Sequence, residues 1–128
     1  MSQPKDSTPR DEDPRHGFGR FGEDAAAEYL RCRGFEILAR NVRTALGEID
    51  LVALDGEVVV FVEVKARRGA GGLEAVDARK QRRLSRLALA FLARAGWLGR
   101  AARFDVIAVE RGGACTHVPN AFDCASGN

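Results

Sequence analysis

The sequence predicts an α/β domain with the element order α-β-β-β-α-β, in which helices cover both faces of a mixed sheet. Two stretches, 18–33 and 75–94, carry apolar residues at intervals of three and four, the period of an amphipathic helix. Three short apolar stretches typical of strands lie between them, and a fourth follows the second helix. A long helix between strands favours a crossover connection, so we expect the third and fourth strands to be parallel neighbours.

Length and composition fit one folded domain. The 128 residues are 45% hydrophobic and 30% charged, an ordinary globular balance. Residues 1–16 hold three of the four prolines and mixed charges, so we predict a disordered tail there and a domain over 17–128. No apolar run reaches the length of a membrane span, and no hydrophobic signal region is present. We therefore expect a cytoplasmic protein that does not enter a membrane.

The first predicted helix has an apolar face and a charged face. Ala26, Ala27 and Leu30 fall on the side expected to face a core, and Glu23 shares their stripe. Asp24 falls on the outer side. Glu23 is therefore expected to point inwards, although an acid in the first turn also favours a helix N-terminus without any other role.

The strands that follow are predicted at 35–43, 47–54 and 57–66. Asp55-Gly56 is a strong signal for a two-residue hairpin turn between the last two of them. With that turn, Asp50 faces Phe61.

The rest of the chain contains a glycine-rich loop at 69–72, the second helix and a strand at 103–110. Gly112-Gly113 then leads to a short segment in which an extra strand is expected near His117.

Two acids and a lysine interrupt otherwise apolar strands. Asp50 lies in the second strand, and Glu63-Val64-Lys65 lies in the third. A carboxylate in an apolar strand is costly unless it is paired or binds a metal. Because side chains alternate along a strand, the predicted hairpin brings Glu48, Asp50, Glu63 and Lys65 to one face.

Convergent carboxylates are the ligands that a hard divalent cation needs. Mg²⁺ takes one or two carboxylates and accepts phosphate oxygens at its other positions, so Asp50, Glu63 and Glu48 are candidate ligands for Mg²⁺ or Mn²⁺. A neighbouring ammonium can stabilise charge that develops at phosphorus. The alternative is that these charges form structural ion pairs at the ends of strands.

Basic residues are concentrated after Lys65. Between Lys65 and Arg86 only Glu74 and Asp77 oppose them, and a local cluster of this kind is an expected footprint for a polyanion. The candidate nucleic-acid contacts are Lys80, Gln81, Arg67, Arg82 and Arg83. For the arginines of the helix, a solvated helix face is the alternative interpretation.

The motifs of this chain resemble a known family. Asp50 and Glu63-Val64-Lys65 are similar to the core of the PD-(D/E)xK nuclease superfamily, although Ile49 stands where that superfamily usually has proline. More narrowly, Gly19-Arg-Phe-Gly-Glu23, Gly47-Glu-Ile-Asp-Leu51 and Phe61-Val-Glu-Val-Lys65 resemble the bacterial YraN-type (UPF0102) family, which is similar to archaeal Holliday-junction resolvases.

The resemblance implies a restriction-endonuclease-like αβββαβ fold and a Mg²⁺-dependent endodeoxyribonuclease, a hydrolase of duplex or branched DNA. By position, it implies that Asp50 and Glu63 bind metal and that Lys65 is the catalytic lysine. Glu23 would match the acidic residue on the first helix of resolvases. Resolution of a junction would require two active sites and therefore a homodimer. The rival interpretation is a nucleic-acid-binding protein of the same fold that hydrolyses nothing.

Overall fold

The computed structural model describes residues 14–67 and 78–122, which form two helices and five strands. The elements are α1 (Pro14–Cys32), β1 (Glu36–Thr44), β2 (Gly47–Asp55), β3 (Val58–Arg67), α2 (Ala78–Ala95), β4 (Ala102–Glu110) and β5 (Cys115–Phe122). The predicted α-β-β-β-α-β order is confirmed, and β5 is the extra strand expected near His117. The α/β architecture is that of a restriction-endonuclease-like core.

The strands form one mixed sheet in the order β1-β2-β3-β4-β5. β3 and β4 are parallel, as the crossover through α2 predicts, and the other three neighbouring pairs are antiparallel. Most strand bounds agree with the predictions to within one residue. The predicted loop at 69–72 and the start of the predicted second helix lie outside the described residues.

Each helix covers one face of the sheet. α2 packs against an apolar cluster that we call the α2-side core, made of Leu84, Leu87, Ala88 and Leu92 with Ile49, Val52, Val59, Phe61, Phe104, Val106 and Phe122. α1 packs against the α1-side core, made of Ala26, Ala27 and Leu30 with Leu51, Val60, Val62, Ile107 and Val109. The alternation of side chains along β3 and β4 supplies both cores at once.

The hairpin between β2 and β3 differs from the prediction. Asp55 pairs with Val58, so the turn residues are Gly56 and Glu57 instead of Asp55 and Gly56. Gly56 has a φ of 62°, a left-handed conformation that glycine adopts without steric cost. Relative to the predicted register, every partner moves by two residues, and a shift of two leaves each side chain on its face.

An ionic cluster around a fully buried aspartate joins β4 to β5. The Asp105 side chain is 0% exposed. Its Oδ1 accepts from Arg103 Nε at 3.0 Å and from the Asn120 backbone N–H at 2.8 Å. Its Oδ2 accepts from Arg103 at 3.2 Å and lies 2.7 Å from His117 Nε2. The carboxylate is thus surrounded by donors, which is what allows a charge to be buried.

Two other expectations concern the start of the first helix and the membrane. α1 begins at Pro14, four residues before the predicted start, while residues 1–13 of the predicted tail lie outside the described residues. Within the part of the chain that is described, neither helix is long and apolar enough to cross a membrane.

Candidate functional site

The pairing of β2 with β3 ends next to Asp50. The last pair of this ladder is Leu51 with Val62. One step beyond it, the Asp50 carboxylate takes over the role of a backbone acceptor, because its Oδ2 accepts a hydrogen bond from the Val64 N–H at 2.8 Å. Asp50 is therefore fixed in place by the backbone of the neighbouring strand.

β2 also departs from regular side-chain alternation at this point. Ile49 and Val52 both pack in the α2-side core, although they are three residues apart, and Leu51 packs in the α1-side core. Strict alternation would put Ile49 and Val52 on opposite faces. The irregularity lies between Ile49 and Leu51, at Asp50.

Three carboxylates meet beside this irregularity. Oxygen atoms of Glu23, Glu48 and Asp50 all lie within 4.8 Å of one another. Glu23 comes from α1, and the other two come from β2. The predicted inward orientation of Glu23 is confirmed, because its side chain is 14% exposed while that of Asp24 is 61% exposed.

The local electrostatics oppose ionisation of Asp50. Burial, followed by the negative charge of Glu63, raises the pKa of Asp50 from 3.8 to about 7, and the hydrogen bond from Val64 opposes the rise. Glu23 and Glu48 contribute further repulsion. The pKa of Glu23 is raised as well, chiefly by burial, while Asn41 and Arg40 lower it. A cluster with these properties gains stability from a cation.

Glu63 lies outside the three-carboxylate cluster. Its Oε2 lies 2.6 Å from Lys80 Nζ, and its side chain is 15% exposed. Of the residues predicted to converge, Glu48 and Asp50 share the cluster, whereas Glu63 acts on Asp50 through its charge and is itself paired with α2. Lys65 is half-buried on β3, two residues beyond Glu63.

The predicted nucleic-acid contacts lie on the first part of α2. Gln81 is half-buried, and Arg82 and Arg83 are exposed. The Arg83 side chain passes close to Gly47, since a Cβ added there would meet its Cδ and Nε at 3.6 Å. The side chain of Arg67, at the end of β3, lies outside the described part of the molecule.

The comparisons with known proteins agree with the resemblance. A model described as "Uncharacterised protein family UPF0102" matches residues 22–109. The chain belongs to the UPF0102 family. A UPF0102 protein of Symbiobacterium thermophilum is 54% identical over 111 residues, which cover 81% of this chain and 94% of that protein.

Two further UPF0102 relatives show a similar likeness. A protein of Magnetococcus marinus is 50% identical over 98 residues, covering 73% of this chain and 79% of its own. One of Syntrophotalea carbinolica is 49% identical over 115 residues, covering 85% of this chain and 94% of its own. The three clustered carboxylates all fall inside the matched segment 22–109.

The carboxylate cluster of this UPF0102 chain fits a hard divalent cation. Two ligands of one Mg²⁺ ion lie at most about 4.2 Å apart, twice the length of a Mg–O bond, and two ligands of Ca²⁺ lie up to about 5 Å apart. Adjacent ligands of octahedral Mg²⁺ lie closer, about 3 Å apart, so the three side chains, whose oxygens lie within 4.8 Å of one another, would have to draw together to bind one ion. Glu23, Glu48 and Asp50 are all oxygen donors, the type that such ions prefer.

Residues of β1 complete the surroundings of the cluster in this UPF0102 chain, and sequence reasoning missed them. Arg40 lies 2.6 Å from Asp24 and 3.9 Å from Glu23, and Arg43 lies 3.7 Å from Glu48. Asn41, between these two arginines on β1, contributes to lowering the pKa of Glu23. A signal was available, since Arg40, Asn41 and Arg43 are polar residues within a predicted strand.

Proposed function

We propose that this protein is a metal-dependent endonuclease that hydrolyses DNA phosphodiester bonds, at branched or junction DNA in particular. The observation that carries the proposal is the cluster of Glu23, Glu48 and Asp50 within 4.8 Å, in which Asp50 has a pKa raised to about 7. Three clustered acids without a cation would repel one another, so a divalent ion such as Mg²⁺ or Mn²⁺ is the simplest partner.

In this proposal the cluster binds the ion and Lys65 assists the reaction. A bound Mg²⁺ polarises the phosphodiester and lowers the pKa of an attacking water. Asp50, held by the Val64 N–H, contributes an oriented ligand. The Lys65 ammonium stabilises the negative charge that develops at phosphorus, as lysine does at phosphoryl-transfer sites. In the superfamily that this chain resembles, the residue at the position of Glu63 is a second metal ligand. Glu63 would bind the ion after giving up its contact with Lys80.

The proposed substrate follows from the charges around the cluster. Arg82 and Arg83 are exposed on α2, and Lys80 is close to the site through its contact with Glu63. These residues would contact phosphates, which gives affinity without reading sequence. A four-way junction offers two strands to cut, so its resolution would require two copies of the chain.

A specific observation favours a second candidate function, binding of nucleic acid without hydrolysis. The 2.6 Å contact between Lys80 and Glu63 satisfies the residue that the resemblance designates as a metal ligand. A chain that keeps this ion pair permanently would bind DNA through its arginines and cut nothing. The two functions differ in whether the protein cleaves DNA when a divalent cation is present.

Incubation of the purified protein with linear duplex, single-stranded and four-way-junction DNA tests the proposal. We expect cleavage with Mg²⁺ or Mn²⁺ and none with EDTA. Asp50→Asn and Lys65→Ala should each lower the rate by about 100-fold or more, since removal of one electrostatic group at an active site has effects of that size. Glu23→Gln is compared with Glu28→Gln, an exposed acid on the same helix whose loss should leave cleavage unchanged.

Two outcomes would contradict the endonuclease proposal. Cleavage that survives Asp50→Asn and Lys65→Ala would mean that another site is responsible. Salt-sensitive DNA binding that is weakened by Arg82→Ala and Arg83→Ala, without any cleavage, would support the binding protein instead.

A further inference from the structure

The hairpin that joins β1 to β2 has an exposed leucine at its tip. Thr44 pairs with Gly47, so Ala45 and Leu46 are the two turn residues. The Thr44 hydroxyl accepts a hydrogen bond from the Leu46 backbone N–H at 3.0 Å, which fixes the turn. Leu46 is nevertheless 45% exposed. Two-residue hairpin turns favour glycine, asparagine and aspartate, so the geometry of the turn does not require a leucine.

The tip of this hairpin lies beside the carboxylate cluster. Glu48 follows Leu46 by two residues, and the reach of the chain limits the distance between their Cα atoms to about 7 Å. That distance corresponds to about two nucleotide steps along a DNA strand. If a phosphate lies at the proposed metal site, the bases of the neighbouring nucleotides are therefore within reach of the leucine.

The hairpin tip also has arginines on two sides. Arg43 precedes the turn on β1, and its side chain is 73% exposed. On the other side, a Cβ added at Gly47 would meet Arg83 Cδ and Nε at 3.6 Å, so the turn contacts the basic first part of α2. An exposed leucine needs no explanation by itself. Between arginines that can hold phosphates, however, its natural partner is the apolar face of a DNA base.

We propose that Leu46 is a specificity-determining residue: at the tip of the β1–β2 hairpin it packs against unstacked bases beside the carboxylate cluster, and it thereby favours branched DNA over a continuous duplex. Some DNA-binding proteins insert apolar side chains, leucine among them, between base steps, and the insertion costs unstacking energy. At a branch point the stacking is already interrupted, so this cost is smallest there. The inference rests on the DNA substrate of the proposed function and identifies a residue that selects its shape.

Leu46→Ser tests the role, with Leu98→Ser as the matched control. Leu98 is 62% exposed and lies at the opposite end of the sheet, where Arg100 donates to the carbonyl of Glu57 in the turn after β2. Binding is measured in EDTA, so that no DNA is cut, with a four-way junction and a linear duplex of the same sequences. We expect Leu46→Ser to raise the Kd for the junction about tenfold and to leave the Kd for the duplex unchanged. Leu98→Ser should change neither value.

A conservative variant and a fluorescent base test the contact itself. Leu46→Met keeps a large apolar side chain and should retain the preference for the junction. Aminopurine, a base analogue whose fluorescence rises when it loses stacking, is placed at the branch point. Wild-type protein and Leu98→Ser should raise this fluorescence on binding, and Leu46→Ser should not.

The ratio of the two Kd values decides the inference. A ratio in Leu46→Ser equal to that of wild type would overturn it. If that variant keeps the ratio but sediments as a smaller species than wild type, a second copy of the chain covers Leu46 instead of DNA, and the inference is wrong. Because Leu46 lies in an exposed turn, we expect the variant to fold normally.

The same proteins with Mg²⁺ separate this inference from the proposed function. Wild type that cuts nothing but loses its junction preference on Leu46→Ser would contradict the endonuclease and leave the role of Leu46 established. Wild type and Leu46→Ser that cut junction and duplex equally well would overturn the inference and leave the endonuclease. Wild type that binds neither DNA would overturn both.

Discussion

Asp50 and Asp105 are aspartates inside the same sheet, but their surroundings have opposite charge. Asp105 is completely buried and is satisfied by Arg103, His117 and the Asn120 N–H. Asp50 accepts one hydrogen bond from Val64, and carboxylates dominate its electrostatic environment, which raises its pKa to about 7. Both are acids in apolar strands. The difference teaches that burial alone does not identify a functional acid, whereas the sign of the charges around it does.

The largest expected effect is that of removing Asp105. Asp105→Ala leaves the Arg103 guanidinium partly buried without its main partner and orphans the Asn120 N–H, and it should lower the free energy of unfolding by about 3–5 kcal/mol. Urea denaturation measures this. Asp55→Ala is the control, since Asp55 contacts the same guanidinium at 3.2 Å but is exposed, and its loss should cost about 1 kcal/mol or less. Equal losses in the two variants would contradict the structural role of Asp105.

Asp50→Asn should change the free energy of unfolding in the opposite direction. The amide oxygen can still accept from Val64, and the repulsion from Glu63, Glu23 and Glu48 is removed. Without divalent cations at pH 8, we expect the free energy of unfolding to rise by about 1–3 kcal/mol. The protein would be more stable and, if the proposed function is right, inactive.

The pH dependence of that gain follows from the direction of the pKa shift. The folded pKa of Asp50, about 7, lies above the model value of 3.8, so the folded state holds its proton more tightly. Ionised Asp50 therefore destabilises the fold fully above pH 7, and this penalty shrinks as the pH falls towards 3.8. The advantage of Asp50→Asn over wild type should disappear near pH 4. An advantage that stays constant from pH 8 to pH 4 would argue against the raised pKa.

The smallest effect concerns Glu63, whose environment is intermediate because its carboxylate is paired with the cationic Lys80. Lys80→Met keeps most of the aliphatic stem and removes the charge, and it should lower the free energy of unfolding by about 1 kcal/mol or less, since Lys80 is 35% exposed. With Glu63 no longer neutralised, the pKa of Asp50 should rise further. A carboxyl ¹³C titration measures that shift, with the exposed Arg86→Met as control, and a midpoint that does not move would contradict the coupling.

Most of the fold was predictable because it depends on local patterns. Apolar periodicity defined the helices, and the long helix between strands indicated the parallel pairing of β3 with β4. The Asp55-Gly56 signal correctly indicated a hairpin but misplaced its turn residues by one, because such dipeptides favour a turn type without fixing which residues occupy it. A register shift of two residues leaves each side chain on its face, but the predicted convergence still failed in part, because Asp50 clusters with Glu23 of α1 while Glu63 pairs with Lys80 of α2.

The site was predictable only in part. The cost of burying charge in apolar strands pointed to Asp50, and the stripe of α1 pointed to Glu23. The same cost applies to Asp105, whose neighbour Arg103 shares its face two residues away, so the sequence also contains a signal for this ion pair. The pairing of Glu63 with Lys80 depends on a contact between distant segments, and the positive φ of Asn41 lies within a predicted strand. Alternation along a strand says nothing about them.

The last strand has a consequence for synthesis of the protein. His117 and Asn120 lie on β5, beyond the segment 22–109 that the family model matches, yet both bind the Asp105 carboxylate. A ribosome makes the chain from the N-terminus, so Asp105 emerges before two of its donors exist. Until residue 120 has left the exit tunnel, β4 would bury a carboxylate that is only partly satisfied. Completion of the sheet around Asp105 therefore has to wait until β5 is available.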